Sequence, residues 1–207
     1  MIAGLPRLAI WRTSRRPPGT VGLPQFADGF EGPGSPWLGQ LSLRGRELSV
    51  YDGVMRFPQP SIPATITVTS PEFTAGAVIP ARFTCRGERI SPAFSWRGVP
   101  AEAKQLAVVV SDPDAPLRTF LHWLVTGLPA TDGGFAEGAA PAGGRQWTNS
   151  GGKQGWYPPC PPFGTHRYFF QVFALDAPVD GNTSKEALRH IDAHTIAWGS
   201  LMGTVSR

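Results

Sequence analysis

Two short segments of this 207-residue chain gather side chains that can hold a charge or pass a proton. The first is Asp112-Pro113-Asp114-Ala115-Pro116, followed by His122. It comes directly after the apolar run Gln105 to Ser111, so its carboxylates emerge at a strand end. Prolines fix φ on both sides of Asp114, and a stiff turn holds polar groups at low entropic cost on binding. His122 lies between Leu121 and Trp123, a setting in which a histidine is more often a satisfied core residue than a ligand. The second segment is Pro158-Pro159-Cys160-Pro161-Pro162-Phe163-Gly164-Thr165-His166-Arg167-Tyr168. Residues i and i+2 of a strand share a face, so His166 and Tyr168 point one way and Arg167 the other. Each proline removes an N–H, which leaves the Cys160 and Gly164 amides, the imidazoles and the Tyr168 hydroxyl as donors. The plain alternative is a rigid structural turn.

Were the two segments to meet, their imidazoles and phenol would favour phosphate, sulfate or carboxylate. Asp112 would repel such a guest. Either it accepts an imidazole N–H and keeps that histidine protonated, or it accepts a hydrogen from a monoprotonated phosphate or an ethanolamine ammonium; the residues leave both open. Two other chemistries compete. One is a hydrolase with His122 or His166 as base and Asp112 as its orienter, or with Cys160 as nucleophile, although Cys160 is wedged between prolines and has no matched base. The other is a metal centre with mixed oxygen and nitrogen ligands from Asp112, Asp114, His122 and His166.

The elements that must position these groups are mostly strands. Thr65 to Ser70 alternates β-branched residues, Gln105 to Ser111 and Leu121 to Val125 are short apolar runs, and Arg167 to Leu175 is apolar on both faces, as in a central strand. Turn clusters separate them, at Asp112–Pro116, Gly143-Gly144, Gly151-Gly152 and Pro158–Gly164. One helix is expected late, where Thr183 and Glu186 have capping-box spacing and Leu188 and Ile191 would face the core up to about His194. The pattern predicts a mainly β fold, a β-sandwich with long loops and a C-terminal helix.

Bulk composition narrows the partners. Hydrophobic residues make up 41% and charged residues 16%, as in a folded domain. The formal net charge of +4 is spread evenly along the chain without a basic stripe, which argues against nucleic acid. No apolar run approaches the roughly 20 residues that span a bilayer. Arg12, Arg15 and Arg16 interrupt the N-terminus and Pro17-Pro18 follow, so no signal peptide is read and the expected compartment is the cytoplasm. Residues 1–54 hold no strand or helix period and read as a disordered or non-native extension, an upstream translation artefact before Met55; residues 55–207 form the organised domain. Two cysteines do not make a disulfide scaffold, and in a reducing cytoplasm Cys85 and Cys160 are expected as free thiols.

Together the segments resemble the phosphatidylethanolamine-binding-protein family, most of all its bacterial and archaeal branch of Raf-kinase-inhibitor-like proteins. The matching pieces run in family order: Thr84-Cys85-Arg86-Gly87, Ser91-Pro92, Asp112-Pro113-Asp114-Ala115-Pro116, His122-Trp123, Asn149-Ser150, Pro159-Cys160-Pro161-Pro162 and His166-Arg167-Tyr168. The set spans nearly all of residues 65–207 and not residues 1–54. The resemblance implies a Greek-key β-sandwich with an anion pocket lined by Asp112, His122, His166 and Tyr168, and with Asp114, Cys160, Pro161 and Pro162 on its wall. Trp156 stands where the family often has Tyr, and Pro158 where it often has Gly, substitutions expected to narrow or reshape the entrance. The resemblance also brings the Cys85 and Cys160 loops toward the ligand end. It implies a binding or regulatory module rather than an enzyme, with no cofactor and no metal. Its guest would be a small anion (phosphate, a phosphoethanolamine-like head group or a nucleotide), with room for a kinase or protease partner and for a homodimer.

Overall fold

A computed structural model of the chain describes residues 55–139 and 141–207. The extension expected over residues 1–54 lies outside the described residues. Two antiparallel sheets make the fold. The smaller contains β1 (Thr67–Thr69), β2 (Phe94–Arg97) and β5 (Gly133–Phe135), in the order β1-β2-β5. The larger contains β3 (Gln105–Asp112), β4 (Phe120–Leu128), β6 (Arg145–Gln146), β7 (Thr165–Leu175) and β8 (Thr195–Ser206), in the order β6-β4-β3-β7-β8. The runs expected as buried strands therefore occupy the middle of the larger sheet, and β3 is buried at every position.

Alternation sorts the strand side chains into two cores. Val108, Val110, Trp123, Tyr168, Phe170 and Val172 face inward and meet Phe73, Phe94 and Trp96 from the smaller sheet side. Ala107, Val109, Leu124, Phe173 and Leu175 face outward and are covered by Ala187, Leu188 and Ile191 of α1 (Ser184–His194). The helix begins as its sequence predicts: Thr183 Oγ1 accepts from Glu186 N, while Glu186 Oε2 accepts from the Asn182 and Thr183 amides.

The helix is followed by β8, a 12-residue strand not marked from sequence. Gly199 and Gly203 look like strand breakers, and they hid its alternation. The folded chain uses them for close approach. A Cβ at Gly199 would lie 1.8 Å from Ile66 O, and one at Gly203 would lie 2.6 Å from an Ile79 carbon. The buried face of β8 thus alternates Ala197, Gly199, Leu201, Gly203 and Val205, with glycine wherever another segment crosses.

Candidate functional site

The end of the inner face holds Asp112, His122, His166 and Tyr168. β3 delivers Asp112 two residues beyond Val110, on the same face. β7 delivers His166 and Tyr168 in register with Val205 and Gly203 of β8. His122 arrives by a different route. Val110 pairs with Trp123 and Ser111 with Leu121, so His122 is an extra residue on β4, a β-bulge. The bulge places consecutive residues His122 and Trp123 toward the inner core, which plain alternation forbids. The His122 and Tyr168 rings then meet edge to face with centroids 5.2 Å apart.

The hydrogen bonds fix the roles. Asp112 Oδ2 accepts from His166 Nδ1 at 2.7 Å. Asp112 Oδ1 accepts from the Asp114 amide at 2.9 Å, which closes the turn on itself. His122 Nδ1 lies 2.7 Å from Tyr157 O; a carbonyl only accepts, so this nitrogen carries the hydrogen. Burial is the largest influence on His122 and pulls its pKa down to about 4, against the opposing pull of the Tyr157 bond and the Asp112 charge. His122 is therefore neutral near pH 7, and its Nε2 carries a lone pair rather than a proton. Tyr168 keeps its proton: burial first, then the charge of Asp112, push its pKa up. Its hydroxyl is buried and lacks a partner of ordinary hydrogen-bond geometry, although Asp112 lies near enough to raise its pKa through its charge and its acceptor oxygens.

All four residues are nearly enclosed: Asp112, His122 and His166 are 3% exposed and Tyr168 0%. A guest reaches them only past their walls. Phe120 and Tyr157 pack on His122, with ring centroids 4.8 and 5.9 Å away. Phe163, largely exposed, stands edge-on to His166. None of these three aromatics was singled out from sequence. Tyr157 escaped because its main contribution is a backbone carbonyl, which any residue supplies.

The expected wall residues divide. Asp114 is committed to Arg167, whose Nε and Nη2 donate to its two oxygens at 2.8 and 2.6 Å and whose amide donates at 2.9 Å. The guanidinium holds the Asp114 carboxyl at about 2, below its ordinary range. That pairing ties the Asp112–Pro116 turn to β7 and withdraws Asp114 from the mixed ligand set weighed for a metal. Among the described residues no three His, Cys, Asp or Glu side chains are grouped to hold a metal ion. Cys160, Pro161 and Pro162 line a neighbouring cavity of about 420 Å³, shared with Thr84, Cys85, Arg86, Pro159, Val205 and Arg207. Val205 is the register partner of His166, so this cavity adjoins the quartet. Trp156 is half-buried. It packs on Trp123 and Phe170 at the edge of the inner core.

Free thiols are not what the structure contains. Cys85 and Cys160 form a disulfide, with Cα atoms 5.4 Å apart, and the Cys85 amide donates to Pro159 O across the same junction. The expectation of free thiols rested on compartment; the fold brings both loops to one place whatever the compartment. The bond also removes Cys160 as a nucleophile for the hydrolase alternative.

Comparison with known proteins agrees with this architecture. The family model described as phosphatidylethanolamine-binding protein matches residues 69–206. A protein of Methanothermobacter thermautotrophicus, named only as a UPF0098 protein, is 42% identical over 62% of this chain and 91% of its own length. A candidate lipoprotein of Mycobacterium tuberculosis, LppC, is 41% identical over 67% of this chain and 71% of its own. Among solved structures, a candidate phosphatidylethanolamine-binding protein homologue of Chlamydia trachomatis, CT736, superposes with a TM-score of 0.65 at 38% identity, over 70% of this chain and 99% of its own. The Escherichia coli protein YbcL, described as a member of the mammalian PEBP family, superposes at 0.64 and 32% identity over the same shares. The inward quartet thus sits on a ligand-binding module of known type: the chain belongs to the phosphatidylethanolamine-binding protein family, in company with bacterial and archaeal members.

Proposed function

We propose that the quartet binds the protonated monoanion of phosphate or of a phosphate monoester head group. The observation that carries this reading is the buried Tyr168 hydroxyl, a donor without an acceptor beside the Asp112–His166 pair. A buried hydroxyl left unpaired costs about 1–3 kcal/mol, which an acceptor oxygen of a guest recovers. His122 refines the choice. Its neutral Nε2 accepts, so it suits the P–O–H of a monoprotonated phosphate better than a bare oxygen. Asp112 holds the His166 ring through Nδ1 and leaves Nε2 as the nitrogen that meets the guest.

Calorimetry of the full chain tests this with phosphate, phosphoethanolamine, a nucleotide and sulfate. The first two bind, and phosphate affinity falls as pH rises from 6 to 8 because the monoanion disappears. Sulfate, which carries no proton in this range, binds several-fold more weakly. Equal affinity for sulfate and phosphate, independent of pH, defeats the reading. His166→Ala supplies the blank. Any regulation of a kinase or protease would follow from this binding step and is tested by phosphate competition against such a partner. For location, the disulfide favours a compartment where thiols oxidise over the cytoplasm expected from sequence. Cell fractionation with thiol trapping decides between them.

A further inference from the structure

The segment that walls the quartet is poorly held by its own backbone. Four of the five residues 158–162 are proline and donate no hydrogen bond. Its attachments are few: the Tyr157 amide donates to His122 O at 3.0 Å, Pro159 O accepts from Cys85 N at 3.0 Å, and Pro162 O accepts from the Arg207 guanidinium. The one covalent tie is Cys160 to Cys85, across 75 positions of sequence. This same segment touches both imidazoles, through Tyr157 O on His122 and the Phe163 ring on His166. Its position therefore sets how closed the quartet is. The bond itself is reachable. Cys160 is exposed, and both cysteines line the cavity of about 420 Å³ whose charged side chains are Arg86 and Arg207.

We propose that the Cys85–Cys160 bond is a thiol-exchangeable clamp that holds the 157–163 wall over His122 and His166, and that a small anionic thiol, received beside Arg86 and Arg207, opens it. The thiolate attacks Cys160 Sγ, on the more exposed of the two residues. A new S–S bond forms to Cys160 as the old one breaks, and its electron pair leaves on Cys85 as thiolate, which takes up a proton. A second thiolate attacks the outer sulfur of the mixed disulfide and frees Cys160. The protein disulfide is reduced to two thiols, and two small thiols are oxidised to one small disulfide. The clamp stands on geometry alone; the consequence that a guest enters more freely rests on the ligand reading above.

The test uses the full chain and two readouts. Opening is timed by alkylation and mass spectrometry with mercaptopropionate, an anionic thiol, and mercaptoethanol, a neutral one, at equal thiolate concentration. The anionic reagent is favoured, and Arg86→Ala lowers that preference about threefold or more. Wall position is read by diethylpyrocarbonate modification of the histidines, comparing the oxidised protein with the Cys85→Ser/Cys160→Ser variant. Modification of His122 and His166 rises about tenfold in the variant, as expected for local opening, while His190 and His194 on α1 serve as unchanged references. Circular dichroism and unchanged reference histidines establish that the variant is folded. Unaltered reactivity of His122 and His166 overturns the clamp, and an anionic preference indifferent to Arg86 overturns the receiving cavity. Loss of phosphate binding in both forms would instead refute the ligand reading and leave the clamp to be judged on histidine reactivity.

Discussion

His122 and Tyr168 are the residues whose chemistry departs most from what free side chains would show. His122 binds fewer protons folded than unfolded between about pH 4 and its ordinary 6.5. Stability therefore rises with pH across that window and is lost as the pH falls through it, by on the order of 3 kcal/mol in full. His122→Gln should flatten this part of the profile in thermal melts between pH 4.5 and 7. Tyr168→Phe should do the opposite to binding and folding. Removing an unpaired buried hydroxyl leaves the ligand-free protein as stable or about 1 kcal/mol more so, while phosphate affinity drops about fivefold or more. Melts with and without phosphate report both signs. The shared face of His166 and Tyr168 was legible because a strand's period of two fixes it, and Asp112 was legible at a strand end through the family motif. The orientation of His122 was not. It depends on the bulge, a mismatch between two strands that neither strand carries alone.

At the scale of elements, the central strands and the capped helix could be read locally, since an apolar run and a capping box are local signals. β8 could not, because its glycines serve neighbours far away in sequence. The Ile66 carbonyl is the consequence to test. Gly199→Ala drives a Cβ into backbone that cannot rotate aside, so it should cost about 3 kcal/mol or more, read as a lowered denaturant midpoint. The Asp114–Arg167 pair makes a contrast. Its charges were visible, but their pairing spans 53 positions of sequence. Arg167 is exposed, so Arg167→Ala should leave the denaturant midpoint nearly unchanged. Its larger effect should be on the Asp112 turn, and hence on phosphate affinity.

On the scale of the whole molecule, the two faces of the larger sheet have different duties. One is closed by α1 and carries no site residue. The other closes against the smaller sheet and keeps its polar quartet at one end. A disulfide joins two loops beside that end, and closing so long a loop restricts the unfolded chain by about 4 kcal/mol. Reduction should therefore lower the melting temperature by roughly 10 °C. The fold class was accessible from strand spacing and family-like motifs together. The enclosure of the quartet was not, because it depends on Phe120 at the start of β4 meeting Tyr157 and Phe163 of the distant loop before β7.

On the proposed reading, these four side chains together hold one protonated phosphate. Its most direct test is imidazole NMR of the full chain, with phosphate added at pH 6 and again at pH 8. The His122 and His166 resonances should move together and saturate with one affinity, weaker at pH 8, while His190 and His194 stay in place. Phosphate that leaves both inner imidazoles unmoved, or shifts only the outer pair, contradicts it.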